Sequence, residues 1–309
     1  MKTICVLKGG SSSERKISLL SGAAVSAQLK DLGYNVFELD PQDYPTLSDL
    51  IAAIKAGSAD VVFFALHGGE GENGKMQAAF ELAHIPFTGS GSRACCITMD
   101  KYISKLVARD IGVPTADFII MRENMIVDYN TDEDLGGFLG SLGLPVVVKP
   151  NDGGSSVGTS LVTHIKELKP AVELAFKESN IVLIEKYIPG AELTVTVLEG
   201  KALPVVEIKP VEGWYDYTNK YNEGKTVYVA PAEIDPALSR LLQVYATRLW
   251  HAFDLKSYAR VDFRYDGDKA WFLEVNTLPG MTSLSLTPMA AKAVGIDFAR
   301  LIETIIHNV

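Results

Sequence analysis

The chain has 309 residues, enough for two or three domains and a sizeable core, and 47% hydrophobic with 22% charged residues is an ordinary globular balance. A net charge of −9, a pI near 5.1 and the lack of any basic run argue against a nucleic-acid partner, so an anionic ligand must be met by a few placed cations. The longest apolar run, VVFFAL, falls far short of the ~20 residues that cross a bilayer, and the apolar stretch in MKTICVLKGG is too brief for a signal peptide, so a cytoplasmic protein with no membrane partner is expected.

From the first residue the pattern alternates. TICVLKGG reads as a buried strand, Ile17–Leu32 as a helix, NVFELD as a strand, Ser48–Ala56 as a helix, DVVFFALHGG as a strand and Lys75–Ala83 as a helix. Such alternation indicates an α/β unit on a parallel sheet, with functional loops at the strand carboxyl ends. Cys5, Cys95 and Cys96 form no disulfide framework and no metal spacing, and are expected as small buried hydrophobes.

A second unit starts near Asp100 with the helix DKYISKLVARDIG. Strands DFIIM, PVVVKP and GTSLV follow, with helices around Asp134–Leu142 and Ile165–Ser179. From IVLIEKYI onward the texture changes. AELTVTVLEGKALPVVEIKP reads as a hairpin turning at Glu199–Gly200, and 213–232 as a long polar and aromatic loop. A helix over 236–253 leads to a second hairpin, SYARVDFRYDGDKAWFLEVN, and the end is helical from Leu286.

GEGENGK, residues 69–75, matches two nucleotide motifs in part. Glu70 and Glu72 would repel a bound phosphate, and Met76 stands where a P-loop needs a hydroxyl for the metal. A plain turn, or a substrate loop using His67, is the better reading. VVVKPNDGGSSVG, residues 146–158, is the stronger phosphate candidate. Lys149 ends an apolar strand, Gly153, Gly154 and Gly158 let the backbone turn its N–H groups inward, and Ser155 and Ser156 add donors. In the last hairpin the strand period of two puts Arg260, Asp262 and Arg264 on one face, and Glu274 and Asn276 on one face of the partner strand. If register joins those faces, Asp262, Glu274 and Asn276 form an oxygen cluster suited to Mg²⁺, with Arg260 beside it to grip an oxyanion. VLIEKYI carries Glu185 and Lys186 and could present its main chain to an adenine edge; a solvated strand reads equally well.

These pieces, in this order, resemble the ATP-grasp superfamily and, within it, the bacterial D-alanine–D-alanine ligases. The segments that carry the resemblance are LKGGSSSERKIS, ALHGGEGENG, FTGSGSRACCITMDK, LPVVVKPNDGGSSVG, YDYTNKY, ARVDF and LEVNTLPGMTSLSLTPMAA, spanning nearly the whole chain. Asn73 departs from the Asp more usual in that family.

The resemblance implies a three-domain ATP-grasp fold, α+β overall, divided at 1–98, 99–184 and 185–309. The first domain holds the parallel sheet, and two antiparallel-sheet halves grip ATP. Lys101 and Lys149 match its phosphate-binding lysines, Glu185 its adenine-hinge acid and Glu192 its ribose-binding acid. Asp262, Glu274 and Asn276 match the ligands of two Mg²⁺ ions, with Mn²⁺ as a substitute, and Arg260 and Gly280 match the oxyanion stabilisers. Glu14, Ser155 and Tyr221 match a hydrogen-bonded trio that positions the first D-alanine and tethers a lid over 213–229, from which Lys220 reaches the transferred phosphoryl group. His67 is implied near the first substrate, and Ser285 and Leu286 at the carboxylate of the second. The activity implied is ATP-dependent joining of two D-alanine molecules through an acyl phosphate, for peptidoglycan precursors, by a cytoplasmic homodimer, with D-lactate or D-serine as the alternative second substrate.

Overall fold

The apolar runs Ile4–Leu7 and Val61–Phe64 are buried, as parallel strands covered on both sides by helices must be. In the computed structural model, which describes residues 2–129, 131–211, 224–282 and 285–309, they lie in β1 (Thr3–Leu7) and β3 (Val61–Phe64). With β2 (Asn35–Leu39) they form a parallel sheet of order β2-β1-β3, crossed over by α1 (Arg15–Asp31) and α2 (Leu47–Ala56). Thr46 and Asp49 close a capping box that fixes the start of α2. Leu7 pairs with Phe64, so the loops leaving β1 and β3 emerge side by side at the carboxyl edge of the sheet, where ligands bind in open parallel sheets.

Two short elements between β3 and the second unit were not expected. Gly69–Glu72 makes one helical turn, α3, before α4 (Lys75–Leu82). The stretch after FTGSG is a helix, α5 (Ser92–Met99), whose mixture of small and polar residues carries little periodic signal. On it Cys96 is exposed, against expectation, whereas Cys5 and Cys95 are buried. Asp100 then caps α6 (Lys101–Asp110) by accepting from the Ile103 N–H.

The second sheet is antiparallel, of order β4-β7-β5-β6, built from β4 (Phe118–Arg122), β5 (Val146–Pro150), β6 (Ser160–Val162) and β7 (Ile181–Lys186). One face packs Val146, Val148, Val182 and Ile184 against α7 (Asp132–Leu139) and α8 (Leu168–Ala175). Strand alternation therefore puts Val147, Lys149, Leu183 and Glu185 on the opposite face.

The third sheet is also antiparallel, of order β11-β10-β8-β12-β13, with β9 (Lys201–Ala202) on β8 (Ala191–Leu198). Glu199 and Gly200, at φ 50° and 74°, make the expected tight turn. The strand continues as β10 (Val206–Pro210). The expected loop over 213–232 contains a strand in its described part: β11 (Thr226–Val229) pairs with β10, drawn there by β-branched and aromatic residues. Val261 and Phe263 of β12 (Tyr258–Tyr265) and Phe272 of β13 (Ala270–Asn276) pack under α9 (Pro236–Ala252). The chain ends in α10 (Leu286–Lys292) and α11 (Phe298–His307). No helix among the described residues is long and apolar enough to cross a membrane.

Ile4 and Val6 of β1 share one core with Val25 and Leu29 of α1, with Tyr258, and with Leu301, Ile302, Ile305 and Ile306 of α11. The first sheet is thus sealed by the end of the chain. Ile302→Ala should cost roughly 2–5 kcal/mol and, because the core is shared, shift a single cooperative urea transition followed by both far-ultraviolet dichroism and tryptophan emission.

Candidate active site

The loops after β1 and β3 are tied to the segment after β13 by buried polar contacts. His67 lies at the end of the β3 loop. Its Nδ1 is 2.7 Å from the Leu278 carbonyl and its Nε2 is 2.9 Å from Ser21 Oγ. A carbonyl only accepts, so Nδ1 carries the proton and the Ser21 hydroxyl donates to Nε2. Ser21 Oγ in turn accepts from the Met281 N–H at 3.2 Å. Burial lowers the His67 pKa, opposed by the nearby Glu14 carboxylate, which agrees with a neutral ring. His67 lines the large cleft, but both its nitrogens are spent on holding the N-terminal loop to the C-terminal one.

Glu72 does the same from α3. Its carboxylate accepts from the Leu278 N–H and the Gly68 N–H, each at 3.0 Å. Burial raises its pKa, and Glu14 adds to the rise. In the linear sequence Glu72 reads only as an acid that would repel a phosphate. The spacing of an acid one helical turn after a Gly-Gly pair held a signal for the Gly68 donor, but the other donor, the Leu278 N–H, lies 206 residues away in the chain.

Glu14 stands at the start of α1 and accepts a short hydrogen bond from Ser155 Oγ in the glycine-rich loop. That loop uses its residues differently from the expectation. Ser155, Ser156 and Gly158 take left-handed φ values of 49°, 59° and 70°, whereas Gly153 and Gly154 do not. A Cβ on Gly154 would lie 2.8 Å from Glu14 Oε2, so a side chain there would displace the Glu14 carboxylate.

The cations of the cleft each meet a carboxylate. Lys101 Nζ lies 2.6 Å from the Gly153 carbonyl and 3.2 Å from Glu274 Oε2. Lys149 Nζ lies 2.5 Å from Glu185 Oε1. The other oxygen of Glu185 is 2.8 Å from the fully buried Lys105 amine, an ion pair off the ideal hydrogen-bond axis. Glu185 therefore spends its carboxylate on two lysines, which hold its pKa down near 2 against the opposing effect of burial; the cavity wall continues along Lys186, Tyr187 and Ile188. Glu192 faces the same cavity and pairs with Arg264 at 3.3 Å.

Register joins the two faces of the last hairpin, setting Arg260 opposite Asn276 and Asp262 opposite Glu274. Asp262 is saturated. Its Oδ1 takes Thr194 Oγ1 at 2.6 Å and Arg260 Nε at 2.9 Å; its Oδ2 takes Arg260 Nη2 at 2.8 Å and Asn276 Nδ2 at 3.0 Å. Arg260, Glu274 and Asn276 line the cleft. Among the described residues no three His, Cys, Asp or Glu side chains are grouped to hold a metal. The oxygen set here is two carboxylates and an amide, a hard donor set that fits Mg²⁺, with the Arg260 fork as the group occupying Asp262.

Beyond the hairpin, a Cβ on Gly280 would lie 2.7 Å from Ser285 Oγ, so a side chain there would push the Ser285 hydroxyl aside. Ser285 Oγ accepts from the Thr282 N–H at 2.9 Å, and Leu286 opens α10 as a buried residue. One cleft of about 1060 Å³ is lined by Glu14, His67, Lys101, Ser155, Arg260, Glu274, Asn276, Gly280, Ser285 and Leu286. It adjoins the smaller cavity between the two antiparallel sheets, with which it shares Lys101, Gly153, Gly154, Ser155 and Glu274. Lys220 and Tyr221 lie outside the described residues.

The chain matches two family models, the D-ala D-ala ligase N-terminus over residues 39–90 and the D-ala D-ala ligase C-terminus over residues 107–307. It is 42% identical over 305 residues to the D-alanine–D-alanine ligase of Actinobacillus pleuropneumoniae serotype 5b (strain L20), covering 98% of this chain and 97% of the relative. The crystal structure of D-alanine–D-alanine ligase from Bacillus anthracis superposes with a TM-score of 0.86 at 37% identity, covering 100% of this chain and 97% of that one. The structure of the Bacillus anthracis ligase complexed with ATP gives 0.85 at 34% identity over the same shares.

Two outcomes test the lock between the loops. Glu72→Ala leaves two backbone N–H groups without an acceptor, a loss of roughly 1–3 kcal/mol for each in thermal or urea unfolding. The His67 pKa lies below its unfolded value of 6.5, so the unfolded chain binds more protons between the two. Stability should therefore rise as pH climbs towards 6.5 and level off above it, and His67→Gln should flatten that limb of the stability–pH curve.

Proposed function

The chain belongs to the D-alanine–D-alanine ligase family, and from that membership we propose that it joins two D-alanine molecules into D-alanyl-D-alanine, cleaving ATP to ADP and phosphate. The observation that carries the reading is the shared cleft, in which Glu14 at the start of α1, the cations Lys101 and Arg260, and the acid–amide pair Glu274 and Asn276 face one volume.

A carboxylate is a poor acylating group at neutral pH until its oxygen is made a leaving group. The first D-alanine binds by its ammonium to Glu14, which Ser155 orients. Its carboxylate oxygen attacks the γ-phosphorus of ATP, whose bond to ADP breaks, leaving an acyl phosphate. Lys101, Lys149 and, from beyond the described residues, Lys220 neutralise the polyphosphate. The amine of the second D-alanine, its carboxylate held by Ser285 and the α10 amino end at Leu286, then attacks the acyl carbon. Arg260 and the Gly280 N–H meet the oxyanion, each donor typically worth about 3–4 kcal/mol. Phosphate departs and the peptide bond remains. Asp262, Glu274 and Asn276 would hold two Mg²⁺ ions, which supply charge neutralisation at the transferred phosphoryl group.

The nucleotide lies between the two antiparallel sheets, with Glu192 at its ribose and the 185–188 strand end at its base. From beyond the described residues, the family reading assigns Tyr221 to the exclusion of the water that would hydrolyse the acyl phosphate. The same family reading supports units 1–98, 99–184 and 185–309, a cytoplasmic location and a homodimer.

The reading is tested by incubating the protein with ATP, Mg²⁺ and D-alanine and scoring ADP, phosphate and dipeptide in equal amounts; ADP without dipeptide would overturn it. Glu274→Gln should abolish turnover with unfolding behaviour unchanged. Arg260→Met should lower kcat by about 10²–10³-fold, read as the rate of dipeptide formation.

A further inference from the structure

Lys105 is a lysine with no exposed surface, and no step above uses it. Taking an ammonium out of water costs several kcal/mol unless it is paired and hydrogen-bonded. Its amine has three partners on three separate parts of the fold. Glu185 Oε2, at 2.8 Å, belongs to β7 of the second sheet. The Phe272 carbonyl, at 3.2 Å, belongs to β13 of the third, two residues before Glu274. Thr115 Oγ1, at 2.8 Å, lies in the segment joining α6 to β4 and itself donates to the Phe272 carbonyl at 3.0 Å. One side chain thus spans the two sheets whose gap is the smaller cavity.

Lys149 is in contact with the same carboxylate through the other oxygen, at 2.5 Å, and it lines the smaller cavity between the two antiparallel sheets while Lys105 does not. Two amines and one carboxylate leave one positive charge in excess. Without Lys105, Lys149 and Glu185 would form a neutral pair, and a phosphate would have to compete with the carboxylate for the Lys149 amine. Burial lowers the Lys105 pKa to about 8, still above neutrality, so the charge is present at pH 7.

We infer that Lys105 is a positioning residue for the nucleotide: by sharing Glu185 with Lys149 and anchoring it to β13, it keeps Lys149 electrostatically available to phosphate and fixes the spacing of the two sheets. The inference rests on reading the cleft as the ATP site.

The test uses the full-length protein with Lys105→Met, Lys105→Arg, Glu185→Gln and the Lys105→Met/Glu185→Gln double variant. ADP and ATP affinity is measured by calorimetry, and KM is measured separately for ATP and for D-alanine. Lys105→Met should raise the ATP Kd and KM about tenfold, the size of one pK unit of differential interaction, with the D-alanine KM held within about twofold. Lys105→Arg should recover most of the loss. In the Glu185→Gln background, removing Lys105 should cost no further nucleotide affinity. Should Lys105→Met fail to fold, that last comparison still decides, because the double variant leaves no buried carboxylate short of a partner. Nucleotide affinity unchanged in Lys105→Met, an equal loss in both backgrounds, or D-alanine KM rising with ATP KM would overturn the inference alone. Failure of the unaltered protein to bind nucleotide would remove the ATP reading and this inference with it.

Discussion

Asp262 faces Glu274 and Arg260 faces Asn276 because β12 and β13 pair antiparallel in one register, and a slip of one residue would turn those side chains into the apolar layer under α9. A bulge in that pairing sharpens the site. Phe263 opposes Phe272, so Leu273 is the extra residue on β13. Leu273 and Glu274, neighbours in sequence, therefore both reach the inter-sheet cavity, while Phe272 and Val275 stay buried on the other side. The bulge sits where the hairpin stops being scaffold and becomes the wall of the cavity.

The same register explains how an acidic protein handles an anionic ligand. A net charge of −9 supplies no overall attraction for an anion. The cations are kept inside the cleft, each against a carboxylate: Lys101 on Glu274, Lys149 on Glu185, Arg260 on Asp262. Buried charges held this way add little to stability, since desolvation offsets most of the attraction. What they provide is placement, because a lysine with a partner has one position and a solvated one has many.

Much of this was legible in the chain itself. Alternating apolar runs and helical stretches gave the parallel unit, the period of two in ARVDF and FLEVN gave the polar faces, and the string of short motifs gave the family. Less visible were elements whose stabilising contacts are remote. The helix over Ser92–Met99 is held by packing on β13 and α4 more than by its own periodicity. The strand Thr226–Val229 exists because β10 offers it an edge. Glu72 and Lys105 look like surface charges in a linear reading, and both are buried among partners far away in sequence.

The sequence by itself determined the residue types, their order and the periodicities that make two antiparallel hairpins and one parallel sheet, because those depend on neighbours a few positions apart. The tertiary structure decided which charges would meet. The His67 tautomer, the Glu185 carboxylate shared by two lysines, the saturated Asp262 and the space at Gly154 and Gly280 all arise from segments brought together by a common core. Burial then fixes them, since a polar group removed from water must take whichever partner the fold supplies.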